Sequence, residues 1–367
     1  MSSDELLIAI SRGLNKPLTQ SDIFVEEINV NHLKRIDKVF NKGLHYYLDP
    51  KPPIATKDAS IFFRKTKFGT DLNFGAKKIV NQFEEEKISL SAIAKLAEIK
   101  TDRKLSVCNI QNDPKQTANY IRTLLYPEFN FKLKEFLRSL ISKFAEYNIL
   151  VFEFVETHNK KEKANIDGFF LKPNVIVLKR QQASFRREIF TLIHELAHYL
   201  LNEEEIEQLD LSNLYNRNLS EIEKWCNDFA YYFLVGSYDE DIEKIYKADK
   251  SNDYYLELIK KISHETHLSR IALYTRLLYK NKISQTDYNF LKAEFEEQYK
   301  LKKEEEKKQK ELDKIEGRKI QGSAPKPINS PLLISTVQIA FGEGIITEYE
   351  ASKFLKISPE KLESLLQ

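Results

Sequence analysis

Phe185-Arg186-Arg187-Glu188-Ile189-Phe190-Thr191-Leu192-Ile193-His194-Glu195-Leu196-Ala197-His198-Tyr199-Leu200-Leu201 reads as one helix, apolar nearly all round and therefore buried. On a helix, positions i and i+4 lie one above the other, so the imidazoles of His194 and His198 can reach a single metal ion. That is the arrangement of a zinc peptidase. Glu195 follows the first ligand by one residue, so its carboxylate can face a water at the metal without ligating. Two stacked histidines on a buried helix need partners, because burying them unpaired is costly. Core histidines bonded to backbone carbonyls would satisfy that need but would leave Glu195 unexplained.

Such a site requires a third protein ligand. Glu203, Glu204, Glu205 and Glu207 follow the helix too closely to fold back and read as a solvated cluster. Glu221 and Glu223 open the next helix, where Glu223, Cys226, Asn227 and Ala230 share one face. Small residues on that face would let the two helices approach closely. Glu223 could instead close a capping box with Ser220. If Asn218 caps the helix, Glu221 takes the third helical position and Glu223 is released. The residues favour Glu223 and leave Glu221 open. His264-Glu265-Thr266-His267 places its histidines three apart in a polar helix junction, and no metal role is expected there. Cys226 reads as a small contact residue rather than a thiolate ligand, and Cys108, with no His or basic pair beside it, as inert.

Working outward, a helix with the stripe Phe136, Leu137, Leu140, Ile141 and Phe144 leads into the strand Ile149 to Phe154. Ile166 to Leu171 and Val175 to Leu178 flank Lys172-Pro173-Asn174 as a hairpin. Downstream, helices are expected from about Leu219 to Val235 and on to about Lys280. Upstream, one helix is expected from Leu33 to Leu48, ended by Asp49-Pro50, and another from about Leu72 to Glu98. The run Lys302 to Ile320 mixes lysines with glutamates and reads as a solvated helix. Gln321 to Pro331 has linker composition, which would let the two short helices of 332–367 move independently. The organisation expected is a helical region and connector over 1–105, a peptidase domain over 106–280, a charged helix over 281–320, a linker over 321–331 and a small helical unit over 332–367. The fold class is α+β, predominantly helical, with a small sheet.

The chain has 367 residues, which suggests two or three units at roughly 150 residues each. Hydrophobic residues make up 42%, enough to bury a core, and Gly 10 with Pro 11 excludes a collagen-like chain. Lys+Arg 57 against Asp+Glu 55 leaves a net charge of +2, too small to imply nucleic-acid binding by itself. Two cysteines in unrelated contexts, no signal peptide and no membrane span point to a reduced, cytoplasmic protein.

Phe185 to Ile193 running into HELAH, the following Tyr199-Leu200-Leu201, and Glu223-x-x-Cys226-Asn227-x-Phe229-Ala230 resemble the ImmA/IrrE metallopeptidases. In that family the last motif reads E-x-x-A-N-x-F-A, and its glutamate is the third zinc ligand. The resemblance therefore implies Zn2+ held by His194, His198 and Glu223, with Glu195 catalytic and Cys226 in the alanine position. It implies a zincin-like core of the glutamate-ligand type, whose sheet Gly168 and Val175 to Leu178 fit. It covers about 115–280 well, and more weakly Pro52-Pro53, Phe62-Phe63-Arg64 and Gly344-Ile345-Ile346-Thr347 with Ala351 and Leu355. Longer members often begin with a helix-turn-helix domain, whereas residues 1–48 lack the Q-x-x-x-A-x-x-x-G pattern, so DNA binding does not carry over directly.

The mechanism implied is hydrolysis in which Glu195 moves the proton of water and a substrate strand pairs with the edge near Phe169 to Val177. The implied substrate is a regulatory protein, such as a helix-turn-helix repressor or an antitoxin. The alternative is an antitoxin-like partner-binding protein with a peptidase-shaped domain and little turnover.

Overall fold

The computed structural model describes residues 3–40, 44–48, 72–156, 163–180, 184–206, 219–316 and 326–358, together with 360 and 362. Pro52-Pro53 and Phe62-Phe63-Arg64 lie outside the described residues, as do Glu207 and Asn218.

Four helices come first: α1 (Ser3–Ser11), α2 (Gln20–Ile23), α3 (Val30–Phe40) and α4 (Leu44–Leu48). They share a small core of Ile10, Ile23 and Ile36. Thr19 starts α2 with a reciprocal capping box to Asp22. Of the stretch Leu33 to Leu48, expected to be helical, Val30–Phe40 and Leu44–Leu48 are described as helices, and residues 41–43 lie outside the described residues.

Next come α5 (Phe74–Leu96), α6 (Pro114–Leu125) and α7 (Leu133–Glu146), then β1 (Leu150–Val155), β2 (Gly168–Leu171) and β3 (Val175–Arg180). The strand order is β1-β3-β2, with β3 parallel to β1 and antiparallel to β2 across the expected hairpin. Side chains alternate between two cores. Val151, Phe170, Ile176 and Leu178 face α7 and the helices that follow the sheet. Phe152, Phe154, Phe169, Leu171, Val175 and Val177 face a second core. Because both faces are covered, the strands read as continuous apolar runs rather than as alternating ones.

The first core is completed by α8 (Phe185–Leu201), α9 (Glu221–Val235), α10 (Asp239–Lys244), α11 (Leu256–Thr266) and α12 (Arg270–Tyr279). The second core is built from α5 and the C-terminal α14 (Pro331–Gly342) and α15 (Glu348–Leu355), with Val80, Phe83, Val337 and Ala351 fully buried. Packing therefore joins α5 to the sheet, although its sequence was grouped with residues 1–105. The C-terminal helices are likewise docked on the sheet. Within the segment expected to be a free linker, the amides of Ile328 and Asn329 donate to Glu153 Oε2 at 2.7 and 2.8 Å. Linker composition at Lys326 to Ser330 hides this anchoring, because the bonds to Glu153 are made by backbone amides, although Ile328 also packs on the first core and Ser330 is buried.

In sequence between α12 and α14 lies α13 (Gln285–Ile315), in which Tyr288 and Leu291 alone are buried, both in the first core. Beyond Leu291 it is the solvated helix that its mixed charges imply, with pairs such as Lys303–Glu306 at 3.0 Å. Among the described residues, no helix is long and apolar enough to cross a membrane.

Candidate metal centre

Ser184 starts α8 by accepting from the Arg187 amide, and Asn202 ends it in a left-handed conformation, φ 54°. Between them the helix is enclosed, with His194 1%, Glu195 4% and His198 1% exposed. Three consecutive residues of its first turn, about 100° apart around the axis, reach three different elements. Arg186 donates to the carbonyls of Ser263, in the last turn of α11, and of Leu268, between α11 and α12. Arg187 pairs with Asp167 at 2.6 Å, just before β2. Glu188 accepts from Arg180 Nε at 2.8 Å, at the end of β3.

Helix α9 is capped by Ser220, whose Oγ accepts from the Glu223 amide at 3.1 Å. The expected choice between caps is resolved differently from either alternative. Ser220 is the cap, yet the Glu223 carboxylate is free of it and points inward. Glu223 Oε2 lies 3.2 Å from His194 Nε2, and Oε1 lies 3.2 Å from His198 Nε2. The two Nε2 atoms are 3.1 Å apart. Glu221 is exposed and takes no part. Cys226, Asn227 and Ala230 are buried on the face that meets α8, in keeping with a close approach of small residues.

This triangle fits a metal ion. Donors about 2.0–2.1 Å from a tetrahedral zinc stand roughly 3.3 Å from one another, close to the separations found. Neither Glu223 oxygen has a hydrogen bond of ordinary geometry, although both are buried and aimed at imidazole nitrogens. A buried carboxylate in that position is costly unless a cation shares the space. Among the described residues, His194, His198 and Glu223 form the one group of three or more such side chains close enough to hold an ion.

The electrostatics follow from enclosure. Burial pushes the Glu195 carboxyl up to about 8 and the Cys226 thiol up to about 11. Burial also lowers His194. At His198 burial acts against the charge, but Cys226 and Glu223 outweigh it and hold the imidazole well above its ordinary 6.5. Glu223 is driven upward by burial, and the two imidazoles beside it reverse that and keep its carboxylate well below 4.5.

Gly168 explains how the sheet can back onto Glu195. A Cβ there would meet Thr191 Cγ2 at 2.8 Å, the Val177 carbonyl at 3.1 Å and Glu195 Cγ at 3.2 Å. Gly168→Ala is expected to destabilise the fold by about 1–3 kcal/mol through overpacking. Adding Thr191→Ser removes the closest methyl and should restore part of that loss. Denaturant midpoints of the single and double variants check this, and a single variant as stable as wild type would contradict it.

Other expectations need correction. Glu204 is not solvated: it is buried and its Oε1 accepts from the Lys172 amide at 2.8 Å. Val177 is not on an edge, since β3 is paired on both sides, and the outer strand on that side is β2. Cys108 does have a basic neighbour, Arg103, although burial raises the thiol all the same.

His264 stacks on Phe131 and His267 on Phe129, with His267 Nε2 2.8 Å from the Asn130 carbonyl. Neither approaches the triangle. Burial, helped by Arg186 and His264, lowers His267 from 6.5 to about 4. Between those values the unfolded chain binds the proton and the folded protein does not. His267 therefore favours folding above pH 6.5 and loses that contribution as pH falls toward 4. His267→Asn, which tolerates the φ of 61°, should flatten the fall of melting temperature across this window. Identical pH profiles for the two proteins would refute the assignment.

Residues 145–278 match the peptidase-family model described as the IrrE N-terminal-like domain. The chain carries an IrrE N-terminal-like domain. The resemblance to the ImmA/IrrE family thus holds over the sheet, α8, α9 and the helices through α12. No curated protein and no solved structure matches the chain. The C-terminal Gly344 to Leu355 lies outside the matched span. Sequence reasoning missed the buried set Arg180, Glu153 and Glu188, because charged residues ordinarily read as solvated and the three are brought together only by the fold.

Proposed function

We propose that the protein is a zinc-dependent endopeptidase of the cytoplasm, acting on a regulatory protein such as a helix-turn-helix repressor or an antitoxin. Such cleavage belongs to a mobile-element, phage-related or stress response. The observation that carries this reading is the buried triangle of His194 Nε2, His198 Nε2 and a Glu223 carboxylate, with Glu195 next to it.

His194, His198 and Glu223 would hold the ion, and zinc when bound would supply Lewis acidity toward water and the scissile carbonyl. Glu195 receives the proton of the attacking water at its carboxylate and delivers it to the amine nitrogen as the peptide bond breaks. Gly168 leaves room for that carboxylate, and the low-polarity enclosure keeps its proton affinity near neutral. β2, the outer strand beside Glu195, is the strand along which an extended substrate segment would pair.

The proposed class of substrate rests on the family resemblance and on the need to restrict an endopeptidase inside a cell. The test is to incubate purified protein with the repressor encoded nearby and with unfolded casein, with and without a chelator. Cleavage of the repressor alone, abolished by chelator, is the expected result. Equal chelator-sensitive cleavage of casein would refute selectivity. Cleavage of neither, with zinc bound, would favour the antitoxin-like partner-binding alternative.

A further inference from the structure

Arg180 is 1% exposed and its guanidinium is shared by two buried carboxylates. Its Nε donates to Glu188 in the first turn of α8 at 2.8 Å, and its Nη1 donates to Glu153 Oε1 on β1. The other Glu153 oxygen, Oε2, accepts from the amides of Ile328 and Asn329 at 2.7 and 2.8 Å. An unbroken chain of charge-assisted hydrogen bonds therefore runs from the backbone of the C-terminal segment, through β1 and β3, to the helix carrying His194, Glu195 and His198. Such bonds are stronger than neutral ones, and in an enclosed setting water does not readily replace a partner that leaves.

We infer that the C-terminal unit is a positioning part of the candidate site: docking of Ile328 and Asn329 on Glu153 fixes Arg180, and Arg180 fixes the first turn of α8. Three observations carry this beyond mere packing. The anchor is a backbone contact, so it forms only when the segment is seated. Both oxygens of Glu153 are engaged in it, Oε1 facing Arg180 and Oε2 facing the C-terminal segment. Glu188 lies six residues before His194 on an uninterrupted helix, so a shift of that turn is passed along a stiff rod to the imidazoles.

Coupling between two sites is reciprocal, so whatever steadies the triangle steadies the docked tail. That half of the inference rests on the proposed metal site, whereas the relay itself does not.

The test is hydrogen exchange on the full chain, read by mass spectrometry, in two arms. In metal-free protein, Glu153→Gln keeps the side chain's shape and removes its charge. Exchange is expected to quicken together in 326–342 and in the first turns of α8, by about fivefold if the coupling is of ordinary size. The amides of α6 and α9 should be unaffected. Quickening confined to one of the two segments, or spread evenly over α6 and α9, would overturn the relay.

In the second arm, zinc is added to wild type and to Glu188→Gln, with bound metal measured in the same samples. Zinc should slow exchange of 326–342 in wild type and not in Glu188→Gln. Equal tail exchange with and without bound zinc in wild type would overturn the coupling, as would slowing that persists in Glu188→Gln. Failure of wild type to take up zinc at all would count against the metal site, leaving the first arm to decide the relay.

Discussion

Replacing Glu195 with Gln is expected to abolish turnover while leaving metal content and melting temperature close to wild type. The amide has the size of the carboxylate and fits the space left by Gly168, but it accepts no proton from water. Loss of a positioned general base lowers rate by roughly 10²–10⁴-fold. Single-turnover cleavage of the identified substrate measures this directly, and melting curves of both proteins exclude unfolding as the cause. A Glu195→Gln protein that reproduces the full biological effect would make binding, rather than hydrolysis, the working activity.

His194→Ala, His198→Ala and Glu223→Ala are each expected to weaken zinc binding on the order of 10²-fold or more, beyond the usual effect of residues outside the ligand set. Glu221→Ala should bind zinc as wild type does, since Glu221 is exposed. A second signature is thermal. A ligand that binds only the folded state at about 100 times its Kd adds ~2.7 kcal/mol, so zinc should raise the wild-type melting temperature. The three ligand variants should show little such rise. Full occupancy in Glu223→Ala together with loss in Glu221→Ala would replace the third ligand assigned here. Absence of zinc from freshly purified wild type would remove the metal centre altogether.

What could be read from the sequence divides by the range of the interaction. His194, Glu195 and His198 were legible because their relation is set within one helical turn. The strands and hairpin were legible from apolar content and Lys172-Pro173-Asn174. Glu223 was harder, because its amide and its carboxylate do different jobs. The amide bonds Ser220, which is what a capping pattern signals, while the carboxylate crosses to the neighbouring helix. Glu204 was misread because its partner, the Lys172 amide, is 32 residues away. The docking of α14 and α15 on the far face of the sheet was invisible for the same reason. Strands covered on both faces show no alternation, so nothing local distinguishes a face met by α8 from one met by a tail.

The first turn of α8 holds at three points, to the α11–α12 junction through Arg186 and to the ends of the paired strands β2 and β3 through Arg187 and Glu188. Three supports spread around a rod form a kinematic mount: two permit it to rock, and the third removes the rocking. Removing any one pair should then cost less than the removal of two, and the excess in the double variants should be far from additive. A chain built this way keeps its two imidazoles in register by geometry at a distance, leaving the inner turns of the helix free to be apolar.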